Sequence, residues 1–195
     1  MNERTTAKVK VSLSKTVFLV TAILIIWSGS AAAQQSLRDI AIEFGCEWLA
    51  GRWTTTTNEG TVIQLTYKWE LNGHLMTVDF KMGEYASRGM IFKVQSEEEA
   101  TQVSVDNRGG RSKATWGARE DGSLVSKSER VNAEGEVQKS AAVYSKVDAK
   151  TIKIALYGLN EDGELNDEPW FTVDFTRKAG KKTDKPAAKQ QKKST

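Results

Sequence analysis

The segment Thr61–Met82, TVIQLTYKWELNGHLMTVDFKM, decides the fold. Ile63, Leu65, Tyr67, Trp69 and Leu71 alternate with Gln64, Thr66, Lys68 and Glu70. Beyond Asn72-Gly73, Met76, Val78, Phe80 and Met82 alternate with Thr77, Asp79 and Lys81. A period of two gives each strand one apolar and one polar face. Asn-Gly tolerates positive φ at both positions, so the segment predicts a β-hairpin with a two-residue turn.

The same rhythm continues on both sides. A strand starts at Arg52, and others read as Arg88–Gln95, Thr101–Asp106, Arg111–Arg119, Ser123–Val131, Glu136–Lys146, Thr151–Tyr157 and Trp170–Arg177. Turn-rich separators divide them: Arg108-Gly109-Gly110, Glu120-Asp121-Gly122, Ala133-Glu134-Gly135, Asp148-Ala149-Lys150 and Asn160–Pro169. Short links make sequential strands pair as a meander, and closing the meander removes two exposed edges. The expected fold is all-β, an antiparallel meander barrel of about 8–10 strands, preceded by a short helix. That helix begins at Ser36, whose spacing to Asp39 suits a capping box. Leu37, Ile40, Phe44 and Trp48 share one of its faces, and Gly51 is its expected terminator.

The ends differ in composition from the body. Lys8, Lys10 and Lys15 precede an eleven-residue apolar run, Val17–Trp27, then Ser28-Gly29-Ser30 and Ala31-Ala32-Ala33. This is the order of a secretory signal peptide over residues 1–33, cleaved before Gln34. Export to the periplasm or the extracellular space is therefore expected, in preference to an uncleaved membrane anchor. The barrel occupies residues 34–177. Residues 178–195 carry seven Lys and one Asp and no large apolar side chain, which predicts a disordered basic tail. Such a tail reads first as a solubilising extension, and alternatively as a contact for an anionic envelope polymer, a lipid headgroup or an acidic partner. The body between holds 17 basic and 23 acidic groups, a net −6, which excludes nucleic acid as its partner.

Gly51-Arg52-Trp53 opens the first strand and Arg177 closes the last. This resembles the lipocalin or calycin pattern, which implies that Trp53 and Arg177 form a structural pair at the closed end. Trp48-Leu49-Ala50-Gly51-Arg52-Trp53, Tyr67-Lys68-Trp69 with Asn72-Gly73, and Thr115-Trp116-Gly117 resemble a bacterial domain of unknown function. That domain often follows a SnoaL-like cone domain in proteins labelled SgcJ/EcaC-type oxidoreductases. The cone domain has no counterpart here, so the resemblance implies a fold and not the oxidoreductase activity.

Most site chemistries lack their residues. The chain has one His and one Cys, His74 and Cys46, without metal-ligand spacing around either. The acidic stretch Asn160–Asp167 lacks the register of a calcium loop and reads as a solvated turn. No nucleophile elbow, phosphate loop or dinucleotide fingerprint occurs. The last strand has no His to ligate haem. No catalytic residue, metal or cofactor is expected, and Cys46 reads as a small buried side chain.

What remains is cavity chemistry. Trp69, Met76, Phe80, Met90, Phe92 and Trp116 are placed on the inner face, as core or as the lining of an apolar pocket open at one end. Ser126, Ser128 and Arg130 share one strand face. If that face points inward, Arg130 supplies a polar patch that orients a ligand head group. The expected ligand-binding residues are therefore Trp69, Met76, Phe80, Phe92, Trp116 and Arg130. The leading expectation is binding of a small apolar ligand without catalysis. The alternatives are an isomerase- or cyclase-like enzyme in the cavity, and a cell-envelope interaction module using the basic tail.

Overall fold

The computed structural model describes residues 35–178. The expected signal peptide, and the basic tail beyond Lys178, lie outside the described residues.

A short helix, α1 (Leu37–Glu43), and a 3-10 turn, Glu47–Leu49, precede the strands. The strands are β1 (Gly51–Thr56), β2 (Val62–Glu70), β3 (Leu75–Met82), β4 (Tyr85–Phe92), β5 (Ala100–Asp106), β6 (Arg111–Ala118), β7 (Leu124–Val131), β8 (Val137–Lys146), β9 (Thr151–Tyr157) and β10 (Phe171–Arg177). All neighbours are antiparallel, and the sheet closes in the order β1-β10-β9-β8-β7-β6-β5-β4-β3-β2. The expected all-β meander barrel with one short helix is the observed fold, and it is consistent with a lipocalin-like barrel. Closure leaves no edge strand among the described residues to template another chain.

The capping box forms as its spacing dictates. The Ser36 hydroxyl accepts from the Asp39 backbone N–H at 3.1 Å, and the Asp39 carboxylate accepts from the Ser36 backbone N–H at 3.2 Å. The helix is shorter than expected. It stops at Phe44 because Gly45 takes a left-handed φ of 66°, and Trp48 then sits on the separate 3-10 turn.

The turn after β2 is also longer than the Asn-Gly pair suggests. Glu70 pairs with Leu75, so four residues connect the strands, and Leu71, Asn72 and Gly73 all have positive φ. The two-residue turn falls one hairpin later, at Gly83-Glu84 between the paired Met82 and Tyr85.

That turn sets the phase of β4. It places Ile91 opposite Met76 and Gly89 opposite Val78, so these two point inward. Met90 and Phe92 therefore lie on the outer face, which corrects the inward placement expected from sequence. Met90-Ile91-Phe92 is a run of three apolar residues, and a run carries no phase of its own.

The lumen is two-sided. Inward positions of β1–β4, β9 and β10 are mainly apolar, including Trp53, Leu65, Val78, Ile91, Ile154 and Phe175. Inward positions of β5–β8 are largely polar: Gln102, Ser104, Ser112, Ser126, Ser128, Arg130 and Ser140 follow from the ladder pairs. The two ends also differ. The β2–β3, β4–β5, β6–β7 and β8–β9 links gather at the end that carries α1. The other five links form the opposite end.

Candidate functional site

The α1 end is closed by Trp53 and Arg177. Trp53 is almost fully buried, and its indole N–H donates to the Leu49 carbonyl at 2.8 Å. The Arg177 guanidinium lies 4.1 Å from the Trp53 ring centroid. It also donates to the carbonyls of Ala50 at 2.8 Å and Trp48 at 2.7 Å. Arg177 thus ties the last strand to the segment entering the first.

Above this closure, α1 borders a half-open cavity of about 370 Å³ at the end of the barrel. Leu37, Ile40, Ala41 and Phe44 line it from the helix side, with Cys46 and Leu49 following. Trp69, Met76, Ile91, Ala100, Trp116 and Leu124 line it from the strands. Lys93, Glu98 and Glu99 are the charged residues at its margin. The Lys93 ammonium is engaged by the Glu97 and Glu98 carbonyls.

The Trp116 side chain is held from three sides. Its indole N–H donates to the Gln102 amide oxygen at 2.8 Å, and its ring stands 4.9 Å from Tyr144 and 6.5 Å, edge-on, from Tyr67. Burial pushes both the Tyr67 and the Tyr144 phenol up, Tyr67 well above the ordinary value. Burial also raises the Cys46 thiol. Cys46 is 4% exposed, and its thiol donates to the Phe44 carbonyl at 3.3 Å.

Trp69, Met76 and Trp116 therefore come together. Phe80 points inward, but toward the opposite end, where it packs edge-on against Tyr85 at 5.8 Å. Phe92 is outside the barrel. The Ser126–Ser128–Arg130 face does point inward, yet Arg130 lies six residues along β7 from Leu124 and is not beside this cavity. The head-group role expected for Arg130 in the apolar pocket does not fit that position. Sequence reasoning missed the helix as a wall of the site. The Leu37, Ile40, Phe44 face was its signal, and it reads equally as ordinary packing.

At the opposite end, Asp106 collects four donors. Arg130 Nη2 donates at 2.8 Å, the Tyr85 hydroxyl at 3.1 Å, and the backbone N–H groups of Arg108 and Gly110 at 2.9 and 2.8 Å. These bonds, led by that from Arg130, hold the Asp106 carboxyl well below the usual carboxylate range. The Arg130 and Arg108 guanidinium groups each lie 5.4 Å from the Tyr85 ring centroid. Among the described residues no group of three or more His, Cys, Asp or Glu side chains is placed to hold a metal ion.

No model of a known protein family matches the sequence, and comparison with curated proteins finds no match.

Proposed function

We propose that this protein is an exported barrel that binds a small, mainly apolar molecule in the cavity beneath α1, without catalysis. The observation that carries the reading is the cavity. Its wall is apolar on both the helix and the strand side, and two Trp side chains and a Met line it. Aromatic and Met side chains stack on flat ligands and adapt to irregular ones. A volume of about 370 Å³ sits low in the usual range for ligand pockets, so the ligand is small. The thiol on the wall, Cys46, has its pKa raised by burial, which suits holding a ligand rather than reacting with it. Asp106, the buried acid, has all four donors already in place and lies elsewhere. Export rests on residues 1–33, and kinship with the domain of unknown function rests on Trp48–Trp53, Tyr67–Gly73 and Thr115–Gly117.

The test is a titration of mature protein with fatty acids of graded length, quinones, retinoids and haem, read by tryptophan fluorescence. Short fatty acids or small quinones are expected to bind and to shift the emission of Trp69 and Trp116. Trp116→Ala is expected to abolish the shift. No binding by any member, with Trp116→Ala losing stability alone, would make the cavity a packing defect and the reading wrong.

A further inference from the structure

The opposite end of the barrel combines a fixed cation with a polar wall. Arg130 points into the lumen, paired across the ladder with Ser112 on one side and Gln138 on the other. Asp106 takes one of its nitrogens, Nη2, and Tyr85 lies against its guanidinium. Nε and Nη1 have no hydrogen-bond acceptor among the described residues. The side chain is 41% exposed while Asp106 is 3% exposed, so the carboxylate is covered and the guanidinium reaches solvent. Arg108, on the β5–β6 turn, brings a second guanidinium to the same tyrosine and has no acidic partner among the described residues. Two cations against one carboxylate leave the cluster with an excess positive charge. Deeper in the lumen, Ser104, Ser112, Ser128 and Ser140 supply hydroxyls, and the Ser128 and Ser140 hydroxyls lie 3.2 Å apart.

A structural tie between β5 and β7 needs only the Asp106–Arg130 bond. It does not need a second arginine on Tyr85, nor an inward row of hydroxyls on four strands, where apolar side chains would pack better. We propose that this mouth is a second binding site, for a small hydroxylated molecule carrying a phosphate or carboxylate group. The oxyanion sits between Arg130 and Arg108, which are held in place by Asp106 and Tyr85 before the ligand arrives. Guanidinium groups recognise such oxyanions through paired, charge-assisted hydrogen bonds. The hydroxyls of the ligand meet the serine wall. The site is independent of the apolar cavity, which lies at the other end of the barrel.

The experiment uses residues 34–195, with inorganic phosphate, glycerol phosphate and hexyl phosphate as probes. Binding is followed by calorimetry and by the Arg side-chain Nε–H resonances. Glycerol phosphate is expected to bind at least tenfold tighter than hexyl phosphate and to shift the Arg130 Nε–H signal. Arg108→Gln, on an exposed turn, is expected to weaken glycerol phosphate at least tenfold with an unchanged melting temperature. Ser112→Ala removes a hydroxyl while leaving the Arg130–Asp106 bond intact, and is expected to weaken glycerol phosphate but not inorganic phosphate. No phosphate binding at 10-fold the concentration typical of weak ligands (roughly millimolar), or hexyl phosphate binding as tightly as glycerol phosphate, overturns the proposal. Because the fluorescence titration of the apolar cavity reads Trp69 and Trp116, either site can fail without the other.

Discussion

Arg177 stacks on Trp53 while its two terminal nitrogens donate to the carbonyls of Ala50 and Trp48. One side chain thereby joins the end of the chain's last strand to the beginning of its first. Trp53 in turn donates to Leu49, so the ring cannot tilt away from the guanidinium without losing its own bond.

This arrangement sets the cost of removing either partner. Trp53→Ala is expected to destabilise the barrel by about 3–5 kcal/mol, as for other buried aromatics. Arg177→Ala removes two charge-assisted bonds and a cation–π contact, with an expected loss of about 2–4 kcal/mol. Arg177→Lys recovers less than half, because an ammonium cannot reach two carbonyls and the ring together. Urea unfolding of the three variants checks the order.

Gly51 is a further test of the same closure. Its φ is 142°, and a Cβ there would run into the Arg177 guanidinium. Gly51→Ala is expected to lose about 1–3 kcal/mol from backbone strain and to displace Arg177 from Trp53. A melting temperature equal to wild type would show that the guanidinium moves aside freely.

Filling the cavity separates binding from folding. Ala41 lines it from α1 and is half-buried. Ala41→Phe occupies the space with little rearrangement of the strands, so ligand-induced fluorescence change should vanish while the melting temperature holds or rises. A large destabilisation instead would mean that α1 cannot accommodate the ring.

Acid should attack the mouth of the barrel. The Asp106 carboxyl is lowered in the folded state by its donors, above all by Arg130. A lowered value means that the folded state binds its proton less readily than the unfolded chain. The stabilisation is complete above the unfolded value of about 3.9, and it is lost as pH falls below that toward the folded value. Stability of wild type measured from pH 6 to pH 2 should fall more steeply than that of Asp106→Asn, which starts lower and lacks this titration.

Alkali should attack the interior. Tyr67 and Tyr144 are raised by burial, so their protonated forms are favoured by folding. That contribution is full below the unfolded value of about 10 and is lost as pH rises through the folded values. Absorbance titration should show these two phenols ionising only as the barrel unfolds. Tyr67→Phe removes one of the two buried phenols and should shift alkaline unfolding upward.

The barrel was legible because its strands alternate cleanly and its links are short. Thr61–Met82 shows both properties, and Thr151–Tyr157 even carries the observed bounds. What alternation could not settle was phase within an apolar run, and so Phe92 was expected inside while Ile91 occupies that place. Nor could it say which end of a strand a side chain serves. Arg130 shares a face with Ser126, and the distance along β7 from one end of the lumen to the other separates it from the pocket it was expected to join. The cavity wall contributed by α1 was hidden for a different reason. A helix face that covers a core and one that roofs a cavity have the same sequence pattern.

The ladder between β1 and β10 contains two residue pairs, Trp53↔Arg177 and Thr54↔Thr176, whereas the others contain six to eight. A cylinder of hydrogen bonds tears where the fewest must break, so this seam is the zipper of the molecule. Amide hydrogens along it should exchange with solvent before those of β6 or β7. Once parted, it frees two strand edges at one stroke, and a neighbouring molecule in the same condition presents the matching pair. Two such chains can trade their first strands and close again as an intertwined dimer. The stacked arginine and tryptophan are then a clasp that keeps each chain faithful to itself.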